Sequence, residues 1–318
     1  MILVSEWVDP KGLELLKQLP YPTSYQPDLW ADVEALKAAM GKAHALVVRN
    51  RTCVSQELLD AAPQLRVVGR LGVGLDNIDA QSLQQHHVPL VYARGANALA
   101  VVEYVLSALL YSARPWLDWT HRTRMGEWKR DLGGQEIHGK ILGIVGVGDI
   151  GSRVARAARS LGMTVKAYDP HLAPFHALMA DGTITSESSL GDLLIQSDAL
   201  TLHAPARRET RHLLNADTFP LMKPDAHLIN TARGSLIDES ALEALLNRGH
   251  LGQVFLDVRE TEPPPTPDTL SLFPNVYLTP HLAGLTEEAL ARTASLVLED
   301  VMRVLTGRPP QSALRSTP

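Results

Sequence analysis

Short runs of apolar and β-branched residues alternate with stretches of helical spacing along almost the whole chain. Strands that alternate with helices form βαβ units, whose parallel strands share a sheet with helices on both faces. There are too many runs for one small sheet, so the pattern predicts two doubly wound α/β domains. The predicted strands are Ile2–Val4, Ala45–Val48, Arg66–Val68, Pro89–Tyr92, Ile141–Val145, Thr164–Tyr168, Ala199–His203, His227–Asn230, Gln253–Asp257 and Val276–Thr279.

Between these runs, apolar residues recur every three or four positions, which is the spacing of a helix that packs one face on a sheet. The longest apolar stretch, Leu99–Ala113, contains Glu103 and is too short to span a bilayer, so it is predicted to be a buried helix. Residues 115–140 are predicted to form a long connection rich in tryptophan and charge. The other predicted helices are Gly12–Leu19, Leu29–Met40, Gln56–Ala62, Ile150–Leu161, Glu239–Asn247 and Glu287–Leu305.

Length, charge and cysteine content exclude several classes of protein. A chain of 318 residues is long enough for two domains, and its net charge of -5 argues against a protein that coats nucleic acid or an anionic membrane. Cys53 is the only cysteine in the sequence, which excludes an intramolecular disulfide and a cysteine zinc cluster. The N-terminus lacks the basic and apolar regions of a signal peptide, so we expect a cytoplasmic protein with neither nucleic acid nor a membrane as partner.

A glycine-rich turn follows the predicted strand Ile141–Val145 and opens a helix. In this pattern the first glycine permits a tight turn, the second lets the backbone approach a pyrophosphate, and the third lets helix and strand pack closely. The free N–H groups of the helix start favour the phosphates. The spacing therefore predicts a dinucleotide site. The turn consists of Gly146, Val147, Gly148, Asp149, Ile150 and Gly151.

An acidic residue extends this pattern. Asp169 follows the next strand, 18 residues past Gly151, near the distance at which a carboxylate accepts hydrogen bonds from ribose hydroxyls. A carboxylate there repels a 2′-phosphate, and His171 is the only candidate cation just after it, so we predict NAD rather than NADP. A tight glycine turn with Asp169 as a helix cap before Pro170 is the alternative interpretation.

Three charged or titratable side chains follow later predicted strands, where open parallel sheets bind their ligands. They are Arg233, Glu262 and His281. An arginine can hold a substrate carboxylate and polarise the adjacent carbonyl. A histidine can exchange the hydroxyl proton, and a glutamate bonded to it orients the ring and raises its pKa. Beside a nicotinamide, this set suits the oxidation of a 2-hydroxy acid.

Each of these side chains also has an ordinary structural interpretation: a surface histidine among 12, an Arg-Gly turn and a Glu-Pro loop. Their shared position after a dinucleotide-type fold favours catalysis. The sequence has no Gly-x-Ser-x-Gly elbow of a serine hydrolase and no His-Glu-x-x-His of a zinc enzyme, so no metal site is predicted.

Five motifs, in order, resemble the D-isomer-specific 2-hydroxyacid dehydrogenases, and the similarity runs nearly from end to end. The resemblance implies a flavodoxin-like substrate domain (residues 1–98 and 286–318), an inserted Rossmann NAD-binding domain (99–285) and an active site in the cleft between them. It also implies that Arg233, Glu262 and His281 are the catalytic trio, and that the protein is a homodimer that pairs through its dinucleotide domain. The motifs are the Gly146–Gly151 turn, Asp169, Asn230-Thr-Ala-Arg233-Gly, Asp257-Val-x-x-x-Glu262-Pro and Pro280-His281-x-Ala-Gly.

Together with the residues discussed above, the resemblance implies a set of contacts for each ligand. The cofactor-binding set is Gly146, Gly148, Asp149, Ile150, Gly151, Asp169, His203, Pro205, Thr231, Ala232, Asp257 and Gly284. The substrate-binding set is Arg49, Asn50, Arg51, Arg70, Val73, Gly74 and Asn97.

The arginines of the substrate set indicate which acid is bound. Arg49, Arg51 and Arg70 place three guanidinium groups in two segments, whereas a simple 2-hydroxy acid needs one carboxylate partner. The surplus indicates a second anionic group, held by charge-assisted hydrogen bonds. Both segments resemble those of phosphoglycerate dehydrogenases and, still more closely, sulfolactate dehydrogenases. The chain ends at Pro318, which leaves no room for the regulatory domain of some phosphoglycerate dehydrogenases.

Two alternatives stay open. If Arg51 is merely solvated, the pocket takes a short acid, as in a glyoxylate or hydroxypyruvate reductase. The fold also serves non-enzymatic NAD-sensing corepressors, although the intact trio argues against a loss of catalysis.

Overall fold

The computed structural model describes residues 1–131, 133–173 and 176–314. The chain forms two compact units: the first joins Met1–Asn97 to the segment that begins at Leu285, and the second is Ala98–Gly284. Two residues differ from the predicted division of the chain: Ala98 is predicted to belong to the substrate domain but lies in the second unit, and Leu285 is predicted to belong to the NAD-binding domain but lies in the first. Ala98 belongs to the second unit because it begins a helix that packs there.

The strands and helices of the described residues are numbered along the chain. The strands are β1 (Ile2–Val4), β2 (Thr23–Tyr25), β3 (Ala45–Val48), β4 (Val67–Arg70), β5 (Leu90–Tyr92), β6 (Ile141–Val145), β7 (Thr164–Tyr168), β8 (Thr185–Ser186), β9 (Ala199–Leu202), β10 (His227–Asn230), β11 (Val254–Leu256) and β12 (Val276–Leu278). The helices are α1 (Pro10–Gln18), α2 (Val33–Met40), α3 (Gln56–Asp60), α4 (Ala80–Gln85), α5 (Ala98–Ala113), α6 (Trp116–Arg124), α7 (Asp149–Ser160), α8 (Ala177–Ala180), α9 (Leu190–Gln196), α10 (Glu239–Leu246) and α11 (Glu287–Leu305). Single 3₁₀ turns span Leu29–Ala31, Arg208–Thr210, Phe219–Leu221, Gly234–Leu236 and Thr269–Leu272.

Some of these elements differ from the prediction. Strands β2 and β8 are short, exposed edge strands without an apolar run, and helices α4, α8 and α9 are brief. Helix α6 occupies the start of the predicted connection 115–140; none of its residues is buried, so it has no apolar face for a periodicity search to detect. No helix in the described part of the chain is long and apolar enough to cross a membrane.

The first unit contains a parallel sheet of five described strands in the order β2-β1-β3-β4-β5. This is the flavodoxin-like order, which confirms the predicted fold class. Successive strand residues point to opposite faces. Ile2 and Val4 pack with helices α1 and α11, whereas Leu3 between them packs with α2 and α3. Both faces of the sheet are therefore covered, as a parallel sheet requires.

The second unit contains a parallel sheet of seven described strands in the order β12-β11-β10-β9-β6-β7-β8. The order reverses between β6 and β9, as in a Rossmann fold, which confirms that part of the prediction too. Leu142 and Ile144 pack with α5 and α7 on one face, and Val145 packs with α9 and α10 on the other. Ligands of such sheets bind outside the carboxyl ends of the strands at the point of reversal.

Candidate active site

The glycine turn after β6 has room for a ligand where the pattern requires it. Gly146 has a φ of +91°, and a Cβ there would lie 2.9 Å from the backbone of His203. A Cβ on Gly151 would lie 2.1 Å from the carbonyl oxygen of Gly146. By contrast, no heavy atom of the described residues comes within 4 Å of a Cβ built on Gly148, which caps helix α7. The turn therefore fits a pyrophosphate at an open helix N-terminus.

Asp169 lies beside this turn. Its Oδ2 oxygen accepts a hydrogen bond from the N–H of Val147 at 2.8 Å, and its Oδ1 oxygen accepts one from the N–H of His171 at 2.9 Å. The half-buried carboxylate therefore lies against the glycine turn and keeps lone pairs for a further donor. This is the arrangement that a ribose next to a bound pyrophosphate needs.

His203 follows β9 on the other side of the reversal point. Burial lowers the pKa of His203 to about 4, so the ring is neutral at physiological pH. Its Nε2 atom lies 3.1 Å from the hydroxyl of Thr201. Pro205 is exposed two residues further on.

Glu262 and His281 meet after β11 and β12. The Nδ1 atom of His281 lies 2.9 Å from Oε2 of Glu262, and the two side chains are 43% and 37% exposed. Burial opposes ionisation of Glu262, but the hydrogen bond from His281 and the nearby charge of Arg233 hold the pKa of that carboxyl below its usual range. Because Nδ1 faces the carboxylate, Nε2 is the ring atom available to exchange a proton with a substrate.

Asp257 holds the loop that carries His281. The carboxylate is buried and accepts the N–H groups of Leu282 at 2.7 Å and Ala283 at 2.8 Å, as well as the hydroxyl of Thr279 at 2.5 Å. The N–H of His281 in turn donates to the carbonyl of Asp257 at 2.8 Å. Asp257 is predicted to contact the cofactor, and it also has a structural role, because these bonds hold His281 at a φ of +58°.

Arg233 is placed by a turn that closes after β10. The fully buried amide of Asn230 accepts the N–H of Ala232 at 3.0 Å and donates to the carbonyl of Arg233 at 2.9 Å. The guanidinium of Arg233 donates to the carbonyl of Ala232 at 2.6 Å. Within the described residues, the buried hydroxyl of Thr231 has no hydrogen-bond partner, which leaves it for a ligand.

Arg259 fixes the loop that carries Glu262. Its guanidinium forms two hydrogen bonds with Glu239 at the start of α10, both 2.9 Å, and two with Asp268, of 2.6 and 2.9 Å. Its side chain is only 8% exposed. Its backbone N–H donates to Oε1 of Glu262 at 3.1 Å. Burial opposes the charge, but these ion pairs outweigh it and raise the pKa of Arg259. The sequence pattern did not single out this residue.

In the first unit, a buried carboxylate shapes the loop after β3. Glu6 accepts the N–H groups of Arg49 at 2.8 Å, Arg51 at 3.0 Å and Thr52 at 2.9 Å. The amide of Asn77 donates to the carbonyls of Arg49 at 3.0 Å and Thr52 at 2.7 Å. We call residues 49–52 the arginine loop. Neither Glu6 nor Asn77 was predicted, because both act on the loop from distant parts of the sequence.

Arg70 is the last residue of β4 and is almost fully buried. A Cβ on Gly72 would lie 1.4 Å from Nη1 of Arg70, so the guanidinium occupies the space that this glycine leaves. Among the described residues, the buried amide oxygen of Asn97 has no hydrogen-bond partner. The remaining predicted substrate residues are Asn50, which is exposed, and Val73 and Gly74, which are partly buried in the turn after Arg70.

The second unit thus brings the glycine turn, Asp169, His203, Arg233 and the Glu262–His281 pair to the carboxyl edge of one parallel sheet. The described residues include no group of three or more His, Cys, Asp or Glu side chains that could hold a metal ion.

A Rossmann sheet with a paired histidine and glutamate at its ligand edge is typical of an NAD(P)-dependent oxidoreductase. Residues 106–283 match the family model of the D-isomer specific 2-hydroxyacid dehydrogenase, NAD binding domain. The (S)-sulfolactate dehydrogenase of Chromohalobacter salexigens is 40% identical over 96% of this chain and 98% of its own length. The chain belongs to the family of D-isomer specific 2-hydroxyacid dehydrogenases, which confirms the predicted resemblance, cofactor class and enzyme class.

Two further relatives show how widely this architecture is shared. The D-3-phosphoglycerate dehydrogenase of Synechocystis sp. is 35% identical over 98% of this chain, which spans only 55% of that longer protein. The solved structure of a D-lactate dehydrogenase from Aquifex aeolicus, complexed with NAD and lactic acid, superimposes with a TM-score of 0.84 at 27% identity, covering 96% of this chain and 95% of that chain.

Proposed function

We propose that this dehydrogenase interconverts a D-type 2-hydroxy acid and its 2-oxo acid, and that the acid carries a second anionic group of the sulfolactate or 3-phosphoglycerate type. The arginine loop is the observation that carries the substrate class. Glu6 accepts three backbone N–H groups, so its carboxylate shapes the loop while the side chains of Arg49 and Arg51 stay available to an anion. We propose Asn50, Arg70, Val73, Gly74 and Asn97 as the other substrate contacts.

Three side chains of the second unit carry the proposed chemistry. Nicotinamide, when bound, supplies the hydride transfer. Arg233 binds the substrate carboxylate and stabilises charge on the neighbouring oxygen. His281 donates a proton from Nε2 to that oxygen in reduction and takes it back in oxidation, while Glu262 holds Nδ1 and so orients the ring.

The proposed cofactor is NAD, because the Asp169 carboxylate beside the glycine turn repels a 2′-phosphate. We expect kcat/KM for NADH to exceed kcat/KM for NADPH. Asp169→Ser should bring the two values closer together, because it removes the charge that repels the 2′-phosphate. Initial rates with both cofactors at one acid concentration measure this. Equal efficiency of the unaltered enzyme with both would contradict the assignment. The other proposed contacts are Gly146, Gly148, Asp149, Ile150, Gly151, His203, Pro205, Thr231, Ala232, Asp257 and Gly284.

Arg49→Ala tests the substrate class. We expect KM for sulfopyruvate or phosphohydroxypyruvate to rise about tenfold or more, since a charge-assisted hydrogen bond is lost, with little change for glyoxylate. The measurement is NADH consumption with each acid. Arg248→Ala, an exposed arginine after α10, is the matched control. Equal effects of Arg49→Ala on both acids would reject the second anionic group and favour a short-acid reductase.

We also propose that a second copy of the chain docks on the exposed apolar surface of α5, α6 and the segment after them. Leu110, Trp116, Leu117, Met125 and Trp128 are between 47% and 83% exposed there, and such a patch on the Rossmann unit marks an interface. Light scattering should give a particle mass of twice the chain mass of 34.7 kDa. Trp128→Glu should lower the measured particle mass towards that of one chain. A monomeric unaltered protein would contradict the homodimer. The cytoplasmic location stays a prediction.

A further inference from the structure

Two tryptophans flank the arginine loop, and neither belongs to the motifs of the sequence. We propose that Trp7 and Trp30 are specificity-determining residues, which hold the guanidinium groups of Arg49 and Arg51 against their ring faces and so present the N–H edges of both groups to a second anionic group of the substrate. The inference rests on the proposed substrate class and extends it to residues that contact the arginines and not the substrate.

Each arginine of the loop lies over one ring. The Cζ atom of Arg49 is 5.0 Å from the centre of the Trp7 ring, and that of Arg51 is 4.6 Å from the centre of the Trp30 ring. Both distances lie within the range of a cation–π contact, and tryptophan is the strongest partner for one. Trp7 follows the end of β1, and Trp30 lies in the 3₁₀ turn 29–31, so the rings come from two different segments.

Stacking uses the flat faces of the two guanidinium groups and leaves their N–H groups available as donors. Among the described residues, neither Arg49 nor Arg51 donates a side-chain hydrogen bond or forms an ion pair. The carboxylates near Arg49 act on it through their charge without a hydrogen bond to its side chain. Glu6 binds the loop backbone, and Asp9 caps α1 by accepting the N–H groups of residues 11 and 12 at 3.1 Å. A guanidinium stacked on a ring keeps its planar fork of donors, which matches a sulfonate or phosphate.

The two arginines differ in how far they depend on the rings. Arg49 is partly buried and lines a small cavity with Asp9, Leu71 and Thr293, and burial lowers its pKa. Arg51 is exposed, so the face of Trp30 is its main restraint. A long side chain that is already held loses less rotamer freedom when it binds an anion. Removal of Trp30 should therefore weaken binding of the anion more than removal of Trp7.

The test compares Trp30→Leu with Trp30→Phe, using sulfopyruvate and glyoxylate as substrates with NADH. For Trp30→Leu we expect KM for sulfopyruvate to rise roughly three- to tenfold, the size of one cation–π contact, with kcat unchanged. KM for glyoxylate, which has no second anionic group, should stay as it is. Trp30→Phe keeps a ring face and should recover most of the loss. Thermal unfolding of both variants confirms that they are folded, and Trp7→Leu provides a second, smaller case.

Arg51→Ala, measured in parallel, separates this inference from the proposed function. If Arg51→Ala raises KM for sulfopyruvate alone but Trp30→Leu does not, the role of the ring is refuted and the substrate class stands. If Trp30→Leu raises KM for both acids equally, the ring has only a structural role and the inference is overturned. If neither variant distinguishes the acids, the second anionic group and the inference fail together.

Discussion

Replacing His281 with alanine is expected to lower kcat about a hundred- to ten-thousand-fold, the usual worth of a positioned general acid. Glu262 lies on the Nδ1 side of the ring, away from the Nε2 atom that exchanges the proton, so it is poorly placed to replace His281. NADH binding should persist, since the glycine turn and Asp169 lie after other strands. Steady-state rates measure the first expectation, and fluorescence titration with NADH measures the second.

The chain offers a matched control for this substitution. His86 also pairs with a carboxylate, since its Nε2 atom lies 2.9 Å from Asp60 in the first unit. His86→Ala removes the same kind of pair from a residue outside the proposed site, so it should leave kcat unchanged. Turnover of His281→Ala at the rate of the unaltered enzyme would refute the proposed role of His281.

Replacing Arg233 with methionine is expected to lower kcat/KM by about two to three orders of magnitude, as the loss of one group that stabilises developing charge does. Both kcat and KM should worsen, because the same guanidinium binds the carboxylate and polarises the oxo group. Arg233→Lys should restore only part of the loss, since an ammonium lacks the planar fork. Rates over a range of acid concentrations, with Arg248→Ala as the control, give the two constants separately.

A rise in KM with an unchanged kcat would assign Arg233 to binding alone. The turn that Asn230 closes supports the fuller role, because a buried amide fixes the backbone at Arg233 from both sides. A guanidinium on so fixed a backbone can be aimed at an atom of the substrate.

The fold could be predicted from the sequence because its sheets obey simple periodicities. Buried parallel strands such as Ala45–Val48 read as continuous apolar runs, and each predicted run overlaps a strand of the structure. The run Arg66–Val68 ends two residues before its strand, Val67–Arg70, because Gly69 and Arg70 carry no apolar side chain. Elements without an apolar signal escaped detection. Helix α6 has no buried residue, and the edge strand Thr185–Ser186 has only two residues, both exposed.

Only the part of the candidate site that follows the ends of predicted strands could be predicted from the sequence. Arg233, Glu262 and His281 follow strands in the sequence, and the rule that ligands bind at carboxyl ends brings them together. The residues that hold the site could not be predicted in this way. Glu6 binds a loop 43 to 46 positions away, and Arg259 joins carboxylates 20 positions before it and nine after it. Such contacts exist only once the sheet has formed.

The four hydrogen bonds of Arg259 to Glu239 and Asp268, which we call the clamp, belong to one unit of the chain. The clamp, the Asp257 carboxylate and the Glu262–His281 pair all lie within residues 98–284, whereas the arginine loop and its two tryptophans lie within residues 1–97. If these groups act as proposed, proton transfer and the choice of acid depend on separate segments of the chain. An exchange of the whole first unit, residues 1–97 together with the segment that begins at Leu285, would then replace the arginine loop while Glu262 and His281 stay in place, so a new substrate preference could arise without a new proton donor.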